Sequence, residues 1–128
     1  MDTTILLVDD DDAVRRILRK VLEAKPYRVV ETGQPQQACE LFDADPLAFS
    51  LLVTDIKMPM MSGQQVAAHL WASRPDLPVL FISGYSDQAY AEKLTGLRSR
   101  FLEKPFGADV LLRRVADLLE AAPFAPGV

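Results

Sequence analysis

Leu51-Leu52-Val53-Thr54-Asp55-Ile56-Lys57-Met58-Pro59-Met60-Met61-Ser62-Gly63 decides how this chain is read: an apolar run reaches one acid, then breaks into a loop containing proline and glycine. Its first five residues read as a buried strand that carries Asp55 to its C-terminal edge. In an open parallel α/β sheet, ligands sit outside the carboxyl ends of the strands, so an acid placed there is placed for chemistry. An acid that merely opens a turn is the competing reading, because Asp is common where strands end. The flanking sequence separates the two.

Upstream, Ile5-Leu6-Leu7-Val8 is a second continuous apolar run, as expected of a strand covered on both faces, and it stops at Asp9-Asp10-Asp11-Asp12. Val14, Ile17, Leu18, Val21 and Leu22 then recur at helical spacing, which predicts an amphipathic helix with Arg15, Arg16, Arg19 and Lys20 on its wet face. Asp11 and Asp12 fit its N-terminus, where acids cap free amides and complement the macrodipole. Asp9 and Asp10 close the strand instead, and their carboxylates repel unless a cation or base lies between them. Tyr27-Arg28-Val29-Val30-Glu31 alternates like a half-exposed edge strand, and a helix follows Gly33 and Pro35 as far as Asp43-Ala44-Asp45-Pro46.

Downstream, Ser62 with Gln65 three residues on has the form of a capping box for a third helix that runs to Arg74, with Val66, Ala67 and Leu70 toward the core. Val79-Leu80-Phe81-Ile82, closed by Ser83-Gly84, is another buried strand. A weak fourth helix is expected from Ser86 to Gly96. After it come the short strand Arg100-Phe101-Leu102-Glu103, the loop Lys104-Pro105-Phe106-Gly107 and a last helix with Leu111, Leu112, Val115, Leu118 and Leu119 inward. Residues 1–122 read as one domain and residues 123–128 as a tail or linker. The lone His69 and lone Cys39 are read as structural, and nothing suggests a repeat or low-complexity tract.

The whole composition agrees. A chain of 128 residues, 49% hydrophobic and 25% charged, is of the size and kind of one globular domain. Its net charge of -4 disfavours general nucleic-acid or anionic-membrane affinity. One cysteine excludes an internal disulfide or a thiolate cluster, and the N-terminal apolar run is too brief and too acidic for a signal peptide or membrane span. A cytoplasmic location is the expectation.

Strands alternating with helices predict a single α/β unit, a flavodoxin-like (βα)5 domain with a five-stranded parallel sheet of order 2-1-3-4-5. In that order the first and third strands flank the topological switch point, so Asp9, Asp10 and Asp55 converge, with Ser83 and Lys104 on the other side of the crevice. Three clustered carboxylates call for a hard divalent cation such as Mg2+, and the same site could take Mn2+. Next to it Asp55 is set to attack phosphorus, giving an acyl phosphate. Lys104 would share the negative charge of the transferring group, and Ser83 could donate a hydrogen bond to it.

These residues resemble the receiver domain of two-component response regulators and hybrid sensor kinases, over Thr4 to Leu119. The resemblance rests on Asp9-Asp10, Asp55 with Met58-Pro59 and Gly63, Ser83-Gly84, and Lys104-Pro105-Phe106. It implies that Asp10 is a direct metal ligand, Asp9 a water-mediated one and the Lys57 backbone carbonyl part of the shell. It further implies that Lys104 pairs with the phosphate, that the bond before Pro105 is cis, and that Ser83 and Phe101 are the switch residues. A histidine kinase or phosphotransfer protein would be the donor. A downstream protein or a second copy would dock on the surface of the fourth helix, fifth strand and last helix. The chain would then be no enzyme beyond catalysing its own phosphorylation and dephosphorylation. Two features depart from the commoner pattern: Ser83 replaces Thr, and Phe101 replaces Tyr and so has no hydroxyl to offer. An aspartate-nucleophile phosphatase needs a second acid where Lys57 stands, and a flavodoxin would have its flavin phosphate repelled by Asp9 to Asp12. A partner-binding receiver that is never phosphorylated is the remaining alternative.

Overall fold

The computed structural model describes residues 3–84 and 99–120. The expected fourth helix, Ser86 to Gly96, and the expected tail lie outside the described residues. Five strands, β1 (Thr3–Val8), β2 (Tyr27–Thr32), β3 (Leu51–Asp55), β4 (Val79–Ser83) and β5 (Ser99–Glu103), form one parallel sheet in the order β2-β1-β3-β4-β5. The described helices are α1 (Asp12–Glu23), α2 (Pro35–Ala44), α3 (Gly63–Ser73) and α4 (Ala108–Glu120), and no helix among the described residues is long and apolar enough to cross a membrane.

Why the strand runs are apolar without alternation follows from the two cores. Successive strand side chains point to opposite faces. Leu6, Val8, Leu52, Val79 and Phe81 face one way, onto Ala38 and Phe42 of α2 and Val66 and Leu70 of α3. Ile5, Leu7, Leu51, Val53, Leu80 and Ile82 face the other way, onto Leu18 and Leu22 of α1 and Leu111, Val115 and Leu118 of α4. β2 is the edge strand that its alternation predicts.

Two details depart from the sequence reading. Ile17, expected inward, is 62% exposed, while Arg15, expected on the wet face, leaves only 16% of its side chain accessible. At about 100° per residue the buried stripe of α1 is centred between Leu18 and Leu22; Arg15 lies about 60° from Leu18, Ile17 about 100° on the other side. Beyond α2, Pro46 opens a short 3-10 turn, Pro46–Ala48, that the proline-stop reading left as loop. The capping box is formed as expected: Ser62 Oγ accepts from Gln65 N at 3.1 Å and Gln65 Oε1 accepts from Ser62 N at 2.9 Å.

Candidate functional site

β1 ends by placing Asp9 in a fully buried position where its polar atoms are almost all committed. Its N–H donates to the Thr32 carbonyl at 3.3 Å, its carbonyl accepts from Arg15 Nη1 at 2.7 Å, and its Oδ1 accepts from Asp11 N at 2.9 Å. Oδ2 remains, buried and without a hydrogen-bond partner among the described residues. A buried carboxylate oxygen left unpaired costs a large desolvation penalty. Burial accordingly pushes the Asp9 carboxyl above its ordinary range, against the Asp11 amide and the Lys104 charge, which pull it down.

Asp11 is the N-cap of α1, its Oδ1 accepting from Ala13 N at 3.0 Å and Val14 N at 3.1 Å, and Asp12 is in the first turn. That leaves Asp10 exposed beside Asp9, and β3 brings Asp55 to the same place. One carboxylate oxygen from each of Asp9, Asp10 and Asp55 lies within 4.8 Å of the others, so the trio could hold a hard metal ion. The orphaned Asp9 oxygen fits that role, since a cation would satisfy a buried polar atom that is unmatched among the described residues.

Asp55 Oδ1 accepts from its neighbour Ile56 N at 3.0 Å, and Lys104 Nζ stands 4.0 Å from the same oxygen, a loose ion pair. Burial, opposed by Lys104 and reinforced by Asp9, raises the Asp55 carboxyl to about 6. Lys104 follows β5, and its N–H donates to the Ser83 carbonyl at 2.9 Å; Ser83 is buried at the end of β4, one residue past Ile82, which pairs with Asp55. The Lys104–Pro105 peptide is cis, as the resemblance implies. Lys57 lies in the loop after β3, where with Met58, Pro59 and Ser62 it borders an open cleft of about 710 Å³ that none of the acids lines. Phe101 is set back from the acids, half-buried and stacked on Phe81 with ring centroids 5.1 Å apart.

Gly63 explains why the loop after Asp55 ends in glycine. A Cβ there would stand 2.0 Å from the Asp55 carbonyl oxygen, and the Gly63 N–H donates to the Ile56 carbonyl at 2.8 Å. The start of α3 thus presses on the backbone that carries the acid. Arg15 was the residue missed: nothing in the period-3.6 pattern distinguishes an arginine that folds back to a strand end from one in solvent. His69 stays peripheral, its Nε2 at 2.8 Å from Asp43 Oδ2, joining α3 to α2 at the surface.

The family model for the response regulator receiver domain matches residues 5–116. The response regulator receiver protein CpdR of Brucella abortus is 37% identical over 119 residues, covering 92% of this chain and 98% of its own. The sensor kinase CckA of the same organism is 34% identical over 118 residues, and there the chain spans 91% of itself but only 12% of the relative. A response regulator receiver protein from Sinorhizobium medicae superposes with a TM-score of 0.85 at 30% identity over 94% of this chain and 96% of its own. The receiver domain of the hybrid histidine kinase CckA does so with a TM-score of 0.78 at 27% identity, over 91% and 99%. With the family model matched over residues 5–116 and a relative matched over nearly its whole length, this chain belongs to the response regulator receiver domains of two-component systems.

Proposed function

We propose that residues 1–122 form a phosphoacceptor unit in which Asp55 takes a phosphoryl group from a histidine kinase or phosphotransfer protein, with residues 123–128 as a tail. The observation that carries this reading is the convergence of Asp9, Asp10 and Asp55 within 4.8 Å, with Lys104 Nζ 4.0 Å from the Asp55 carboxylate. Asp9, Asp10, Asp55 and the Lys57 carbonyl would hold Mg2+ or Mn2+. Such an ion, when bound, supplies positive charge beside the incoming phosphoryl oxygens.

The remaining work falls to the chain's own residues. An Asp55 oxygen forms the new O–P bond while the donor's P–N bond breaks and its electron pair stays with the imidazole. With its carboxyl at about 6, Asp55 is mainly ionised at neutral pH and so is a competent nucleophile. Lys104 is close enough to follow the negative charge from carboxylate to phosphoryl oxygens, and the loose transition state of phosphoryl transfer asks chiefly for such positioning and charge. Ser83 would donate its hydroxyl to a phosphoryl oxygen, and with Phe101 it would report the modification to the surface of β5 and the last helix, where a partner or second copy docks.

Acetyl phosphate with Mg2+ tests this by mass spectrometry. Addition of one phosphoryl group is expected on the parent, none when the ion is chelated and none on Asp55→Asn. Equal labelling of Asp55→Asn would remove Asp55 from the role, and an unlabelled parent would favour a receiver that only binds partners.

A further inference from the structure

Asp9 is aimed by a side chain outside the acid cluster. Arg15 makes a three-way connection: Nη1 donates to the Asp9 carbonyl at 2.7 Å, Nε to Glu31 Oε1 of β2 at 3.0 Å, and Nη2 to Asp12 Oδ1 in the first turn of α1 at 2.7 Å. With three of its donors fixed on two strands and a helix, the guanidinium has little freedom to swing, which is what a planar fork supplies and an ammonium does not. Its seat is prepared by Gly33. A Cβ on Gly33 would come within 2.6 Å of Arg15 Nη1, and the nearest backbone atom to it would be the Asp9 carbonyl oxygen at 3.5 Å. The absence of a side chain at residue 33 is therefore what lets the guanidinium reach that carbonyl.

We infer that Arg15, seated in the space left by Gly33, is a positioning residue for the metal site, fixing the Asp9 main chain so that its carboxylate meets those of Asp10 and Asp55. The inference rests on the reading that Asp9 serves a bound divalent ion. Asp9 has its N–H, carbonyl and Oδ1 all held by protein groups, and Arg15 supplies the only one of these contacts made by a side chain. Arg19 is the built-in comparison: it also pairs with Glu31, through Nη1, and with Glu23, but not with Asp9.

Charge alone and positioning give opposite signs. A cation near a cation site repels the ion, so removing Arg15 for its charge only would tighten Mg2+ binding. Removing a group that orients a metal-binding residue weakens binding, typically by 10–100-fold. The experiment is calorimetric titration of the metal-stripped full chain with MgCl2, for the parent, Arg15→Gln, Arg19→Gln and Gly33→Ala, each checked by circular dichroism for the native fold. Gly33→Ala guards against misfolding of Arg15→Gln, because the methyl clashes only with the Arg15 guanidinium and meets no backbone closer than 3.5 Å. The expected result is about tenfold weaker binding for Arg15→Gln, a smaller loss of the same sign for Gly33→Ala, and an Arg19→Gln affinity like the parent's. Parental or tighter binding by both Arg15→Gln and Gly33→Ala overturns the positioning role. A parent that takes up no Mg2+ overturns the metal reading itself.

Discussion

Asp55 is held in a protonation balance that the fold itself disfavours. Its carboxyl rises to about 6 from the ordinary 3.8 because burial penalises the charged form and Asp9 repels it, with Lys104 only partly offsetting both. The folded state therefore keeps this proton longer than the unfolded one. Below pH 3.8 both states hold it and no stability depends on it; as pH climbs from 3.8 through about 6 the unfolded state ionises first and folding stability falls. At about 1.4 kcal/mol per pH unit between the two values, the loss by neutral pH is on the order of 3 kcal/mol. Urea denaturation in EDTA at pH 4.5 and 7.5 should show about 2 kcal/mol of that loss for the parent, roughly 1 kcal/mol having gone already by pH 4.5, and much less of it for Asp55→Asn. The same pH dependence in both proteins would mean that Asp55 is not the strained group. Gly63 belongs to the same account: the close approach of α3 to the Asp55 carbonyl keeps the acid where its neighbours oppose its charge.

At the scale of the element, α1 shows what the four-acid run does. Asp11 caps two amides of the helix, while Asp10 is free of that duty and is one of the three acids whose oxygens converge. Asp11→Ala should therefore cost about 1 kcal/mol of stability and leave Mg2+ affinity near parental. Asp10→Asn should leave stability in EDTA unchanged or raised, by removing a like charge, and weaken Mg2+ binding. Thermal melts with and without MgCl2 separate them, and a matching metal response in both variants would undo the division between cap and ligand. The capping role of Asp11 was legible in the sequence, because strand end and helix start fall at fixed places in Val8-Asp9-Asp10-Asp11-Asp12. So were the strand cores and the sheet order, since uninterrupted apolar runs alternating with amphipathic segments have few ways to pack. The azimuth of α1 was not legible. Five apolar residues at helical spacing fix a stripe but not its centre, and only packing against β1 and β2 decides that Arg15 turns in and Ile17 out. The 2.0 Å approach at Gly63 was equally hidden, because a glycine in a loop gives no hint of which backbone it lies against.

Across the whole molecule, the acids sit at the C-terminal ends of the central strands β1 and β3 while the proposed output surface lies along β5 and α4, so a signal must cross β4. A continuous set of contacts makes that crossing. Lys104 N–H is bonded to the Ser83 carbonyl at the end of β4; two residues back on β4, Phe81 stacks on Phe101 of β5; and the Phe101 carbonyl accepts from Arg114 Nη1 of α4 at 2.9 Å. Phosphorylation exchanges the Asp55 carboxylate for an acyl phosphate with about one more negative charge and three phosphoryl oxygens, and a change so local reaches a distant face only through an element with two arrangements. Phe101 fits that part, since its ring is half-buried, stacked on Phe81 and without a hydroxyl, so rotation breaks no hydrogen bond of the ring. A coupling of roughly 1–3 kcal/mol is typical of such devices and leaves both arrangements populated. Beryllofluoride with Mg2+ mimics the acyl phosphate without chemistry. In NMR spectra it should shift the amides of Phe81, Phe101 and Arg114 as well as those around Asp55, and leave Asp43 and His69 on the α2–α3 surface in place. In Phe101→Ala the shifts at Asp55 should persist while those at Arg114 shrink. Shifts confined to the acid pocket, or an Arg114 response that survives the loss of the ring, would mean that the signal leaves the site by another route.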